Sequence, residues 1–165
     1  METDLHEGPA AQRFVEPSSG AALVVVGSRG PHGLPRALVG SVARYVAVHA
    51  ECPVIVVRGP GPLPAPAHPR PIVVADKEPT ASVLELAVNE ADMRRLALVT
   101  TAEPQTGQES HPNVPSRVQK AHERPTLIVA GRKRTDHFGM ITSLLQHAPC
   151  PVAVVGISMG EGHRE

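Results

Sequence analysis

The stretch from Leu23 to Val57 does most to restrict what this chain can become. Four apolar residues, Leu23-Val24-Val25-Val26, run straight into Gly27-x2-Gly30-x9-Gly40-Ser41. That loop opens onto a helix-like run from Val42 to Ala50 and then onto Pro53-Val54-Ile55-Val56-Val57. Short, continuous apolar runs suit strands covered on both faces of a parallel sheet. The order strand, loop, helix, strand predicts a right-handed βαβ crossover. Glycine frees the loop backbone and lets a ligand approach the main chain, while the first N–H groups of a helix lack internal partners and carry partial positive charge. A phosphate suits such a place. The competing reading is that Gly27, Gly30, Gly33 and Gly40 only make a tight strand-to-helix connection. Ser41 reads as the helix N-cap.

The spacing resembles the phosphate and ribose loop of the universal stress protein family. There, glycine, two residues, glycine, nine residues, glycine and serine or threonine follow the fourth strand, and this chain matches every fixed position. The likeness continues through Val42-Ala43-Arg44-Tyr45-Val46 into Ala50 to Val57, which looks like the family's last helix and fifth strand. The resemblance implies an α/β fold with a mainly parallel, twisted sheet and flanking helices, a role in stress response, and binding of ATP or AMP. It further implies that backbone around Val26, Gly27, Arg29 and Gly30 lines adenosine and phosphate, and that Gly40, Ser41 and Val42 bind phosphates at the helix start. Arg29 would add charge-assisted hydrogen bonds.

The block recurs in worn form. Ala50-Glu51-Cys52-Pro53-Val54-Ile55-Val56-Val57 returns as Ala148-Pro149-Cys150-Pro151-Val152-Ala153-Val154-Val155, with six of eight residues identical, and Leu23 to Gly30 returns as Leu127 to Arg134. Two related units are expected, sharing a sheet of about six strands. The second loop is the poorer phosphate site, because Arg134 replaces the second glycine and the Gly-Ser pair has no clear counterpart.

Between the units, Gly59 to Pro71 holds six prolines at nearly alternate positions, an extended and stiff linker. Residues 1–20 read as a frayed tail with one short helical turn, 21–58 as the C-terminal half of a first unit with the glycine loop, 59–70 as the linker, 71–158 as an abridged second unit and 159–165 as a C-terminal tail. Pro71 to Asp76 reads as a strand ending in an acid. A helix from about Thr80 to Arg94 follows, with Val83, Leu84, Ala87, Val88 and Ala91 on one face and a capping box from Ser82 and Glu85. Leu96 to Thr101 reads as the next strand, and Leu127 to Ala130, a helix around Met140 to His147, and Val152 to Val155 complete the unit.

By resemblance Asp76 is the acid that meets the adenine or ribose edge, yet it lies across the linker from the glycine loop. Either Asp76 opens a second unit, or residues 71–101 fold against 22–57 as a permuted domain. The apolar last strands, Val54 to Val57 and Val152 to Val155, invite pairing. They can pair antiparallel within one chain as an internal pseudo-dimer, or each can recruit a second copy as a homodimer.

Equal numbers of basic and acidic residues, 16 each, give no bias toward nucleic acid or an anionic membrane surface. Arg132-Lys133-Arg134 reads as a solvated loop or an anion contact. Hydrophobic residues make up 41% and aromatics 2%, so aliphatic side chains must fill the core. No apolar run approaches the roughly 20 residues of a bilayer span, and the acidic start is unlike a signal peptide, which reads as cytoplasmic. Cys52 and Cys150 sit at equivalent places before apolar strands and read as packing residues. The nine histidines form no ligand spacing, so no metal site is expected. No P-loop, dinucleotide turn or hydrolase elbow occurs, so no catalytic residue is assigned. Three functions compete: an adenine-nucleotide-binding stress-response module without its own catalysis, a nucleotide-free dimerisation scaffold whose site has degenerated, and, behind both, slow hydrolysis of a bound ATP without a dedicated motif.

Overall fold

The computed structural model describes residues 3–28, 39–58, 70–100, 125–132 and 139–156. The apolar runs become the strands of one six-stranded sheet: β1 (Val24–Gly27), β2 (Val54–Val57), β3 (Ile72–Val74), β4 (Leu98–Thr100), β5 (Leu127–Arg132) and β6 (Val152–Gly156). The helices are α1 (Ala10–Val15), α2 (Ser41–His49), α3 (Ala81–Arg94) and α4 (Gly139–His147). Strand order is β1-β2-β6-β5-β3-β4, with every neighbouring pair parallel except β2 and β6.

Side chains alternate across the strands and so build two cores. On one face Val26, Val54, Val56, Ile128, Ala130, Val152 and Val154 pack with Ala43 and Val46 of α2 and Ile141 and Leu145 of α4. On the other, Ile55, Ile72, Val74, Leu127, Val129 and Val155 meet Val83, Ala87 and Ala91 of α3. Full burial of each Val, Leu or Ile contributes about 1.5–3 kcal/mol.

The antiparallel join sits between the two last strands, with Val54 opposite Val154 and Val56 opposite Val152. Asp76 therefore belongs to the second unit, ending β3 beside β5. A permuted arrangement against 22–57 is not what forms, because β3 pairs with β4 and β5 and β1 pairs with β2.

Local details differ from the sequence reading in four places. Residues 10–20 are not a frayed tail. They form α1 and a 3-10 turn over Glu16–Gly20, where the buried Ser18 hydroxyl donates to the Val15 carbonyl at 2.5 Å and accepts from the Glu51 amide at 3.0 Å. Gly40 is the N-cap of α2, while Ser41 is already its first residue and stands exposed. Thr80 caps α3, its hydroxyl accepting from the Val83 amide, so Ser82 and Glu85 form no box around the helix start. Arg132 is not in a solvated loop, since it ends β5 half-buried and its guanidinium donates to the Val48 and Ala50 carbonyls, the latter at 3.0 Å. Linker residues 59–69, residues 101–124 and the C-terminal tail 159–165 lie outside the described residues.

Candidate functional site

β1 ends at Gly27, and the chain returns at Val39 to start α2 beside it. The Ser28 amide extends the ladder to the Val57 carbonyl at 2.8 Å, and the Ser28 carbonyl accepts from the Gly40 amide, also at 2.8 Å. The first bond fixes the end of β1 on β2, and the second holds it against the N-terminus of α2. The result is a cavity of about 400 Å³ lined by Val25, Val26, Gly27, Ser28, Gly40, Ser41, Val42, Ala43 and Phe14.

Five predicted site residues come together at that cavity: Val26, Gly27, Gly40, Ser41 and Val42. Arg29 and Gly30 lie outside the described residues. Gly40 adopts φ −58°, which any residue can take, so its backbone conformation does not demand glycine. A Cβ there would stand 3.4 Å from the Ser28 carbonyl oxygen, an ordinary contact, which leaves the open side of the helix start as the reason to keep bulk away.

Asp76 is elsewhere. Because β2 and β6 run antiparallel, the carboxyl ends of β1 and β2 lie at the opposite end of the sheet from those of β3, β5 and β6. Asp76 is 5% exposed, and its Oδ2 accepts from the Gly131 amide at 2.6 Å. Gly131 is the repeat counterpart of Gly27, so the acid occupies the second unit's own version of the position. A Cβ at Gly131 would meet Asp76 Oδ2 at 2.9 Å and Val83 Cγ2 at 3.0 Å, so this glycine is required by close approach.

Sequence reasoning missed Phe14 and Ser28. The apolar pair Phe14-Val15 at the end of an alanine-containing run was the available signal for a docked helix. Nothing local marked Ser28, whose role is carried by main-chain atoms.

With that geometry in view, residues 2–58 match the model of the Universal stress protein family. The chain is similar to members of this family. It is 35% identical over 100 residues to a universal stress protein of Mycobacterium tuberculosis, an alignment covering 60% of this chain and 37% of that one. A universal stress protein of Methanocaldococcus jannaschii is 44% identical over 62 residues, 36% of each chain. This chain thus spans little more than a third of the relatives it matches. The crystal structure of a universal stress protein from Archaeoglobus fulgidus superposes with a TM-score of 0.58 at 19% identity, over 88% of this chain and 66% of that one. The α/β universal stress protein fold is therefore the fold of this chain.

A second cavity of about 230 Å³ lies between α3 and the turn before β2, lined by Glu51, Ser82, Glu85 and Asn89 among others. Its carboxylates are exposed, and no cluster of metal-ligating side chains occurs among the described residues. Burial pushes the Cys52 thiol up and the Cys150 thiol up to about 11, which argues against either as a nucleophile. Among the described residues no helix is long and apolar enough to cross a membrane.

Proposed function

We propose that this chain is a stress-response module that binds an adenine nucleotide, ATP or AMP, in the cavity between Gly27-Ser28 and Gly40-Ser41, without a reaction of its own. The observation that carries the reading is the meeting of a strand end and a helix N-terminus around an open cavity of about 400 Å³. Bare backbone and the positive end of α2 favour an anion there. The likeness of residues 2–58 to the universal stress protein family suggests the physiology.

The test is Gly40→Asp. Aspartate is a preferred N-cap, so the helix keeps its start. Its carboxylate then stands where a phosphate would sit. Calorimetry with ATP and AMP should give binding to the wild-type protein and none to the variant, with the thermal midpoint retained. Equal affinity in both would remove the site.

The separation of Asp76 from the glycine loop favours a second reading, a nucleotide-free scaffold. It expects no heat and no competition with ATP at millimolar concentration, together with a stable dimer in ultracentrifugation.

A further inference from the structure

We infer that the open side of β1 is a docking surface for one kind of partner: an apolar polypeptide strand that runs parallel to β1, ends in a carboxylate, and continues into an amphipathic helix. The inference goes beyond nucleotide binding and does not depend on it.

The argument starts from hydrogen-bond directions. The Val24 and Ser28 amides bond to Pro53 and Val57 on the β2 side. Main-chain groups of alternate residues point to opposite neighbours, so the Val25 carbonyl and the Gly27 amide face away from β2. Among the described residues no strand pairs with β1 there. In the second unit the counterpart groups are satisfied: the Val129 carbonyl accepts from the Ala75 amide at 2.9 Å, and the Gly131 amide donates to Asp76 at 2.6 Å.

Exposure gives an independent comparison of the same residues. Leu127, Val129 and Val155 lie under α3 at 2%, 0% and 3% exposure, whereas their counterparts Leu23, Val25 and Val57 stand at 38%, 55% and 43%. One segment, residues 71–94, closes both the edge and the face in the second unit. In the first unit no described strand or helix covers the same edge and the same face. Charge complementarity selects the acid, because the Gly27 amide adjoins the positive end of α2.

The probe is a fluorescein-labelled peptide of this chain's own residues 70–95, titrated into the full chain, with hydrogen exchange to locate it. Saturable binding with new protection of residues 22–28 is expected. Asp76→Asn in the peptide should weaken binding by about tenfold. Val25→Lys in the protein, at a position already half exposed, should abolish binding while the thermal midpoint stays unchanged. Three results overturn the proposal: no saturation at about 1 mM peptide, protection falling on residues 125–132 instead through exchange with the chain's own β3, or undiminished binding by the Val25→Lys protein. A protein that sediments as a dimer with residues 22–28 already protected also overturns it, since a second copy then covers the edge.

Discussion

Two residues with the same place in the repeat, Gly27 and Gly131, show how one sequence position acquires different constraints. Gly131 is held against Asp76 and Val83, so Gly131→Ala forces the buried carboxylate off its amide. Overpacking of this kind costs about 1–3 kcal/mol, and urea denaturation should register a loss of that size. Gly40→Ala, with only an ordinary contact to meet, should change stability far less in the same assay. At Cys150 the prediction concerns pH. Burial raises the folded thiol from 9.0 to about 11, so between those values the unfolded chain loses a proton that the folded chain keeps. Stability then falls with rising pH, by up to about 1.4 kcal/mol per unit. Cys150→Ala should flatten denaturation midpoints measured between about pH 9 and 11 relative to the wild type; an unchanged slope would mean that the thiol is not the titrating group.

At the scale of elements, α3 offers the sharpest local test. It ends in a Schellman arrangement, with the Leu96 amide donating to the Ala91 carbonyl at 2.9 Å and Arg95 in the left-handed region at φ 54°. Arginine at that conformation carries about 1 kcal/mol of backbone strain that glycine lacks. Arg95→Gly should therefore raise the thermal midpoint, and a lowered midpoint would show that the arginine side chain outweighs its backbone. The existence of α2, α3, α4 and all six strands was legible, because each apolar run or helical face is written within a few consecutive residues. Caps were less legible. Thr80 and Ser82 are both competent oxygen acceptors near one helix start, and only backbone geometry selects Thr80. The docking of residues 10–20 was hidden, since Ser18 answers an amide 33 residues away at Glu51. For the same reason Val26, Gly27, Gly40, Ser41 and Val42 were found as cavity residues, while Phe14 was not; Ser28 was missed although it adjoins Gly27, because it acts through its main chain. The separation of Asp76 from the glycine loop was decided by sheet order, about which the linker is silent.

At the scale of the whole molecule, the β2–β6 seam is the step that turns two partial units into one sheet, and two arginines brace it from opposite ends. Arg58, just past β2, donates to the Leu145, Gln146 and Ala148 carbonyls at the end of α4, the Gln146 bond measuring 2.9 Å. Arg132, at the end of β5, reaches the Val48 and Ala50 carbonyls at the end of α2. Each guanidinium thus caps a helix of the other unit, where the last carbonyls lack helical partners and the dipole is negative. Burial lowers the pKa of Arg132 from its ordinary value, yet an arginine stays charged at neutral pH. Hydrogen bonds to a charged group are worth about 1.5–3 kcal/mol, so Arg58→Ala and Arg132→Ala should each cost about that much in urea denaturation. The two sites lie at opposite ends of strands about 13 Å long, so their costs should add to within about 0.5 kcal/mol in the double variant. If the seam binds the units into one cooperative structure, fluorescence-free probes such as circular dichroism and hydrogen exchange should still report a single transition in each single variant. Two separated transitions in Arg58→Ala would instead mean that the units fold independently and that the antiparallel join adds little coupling between them.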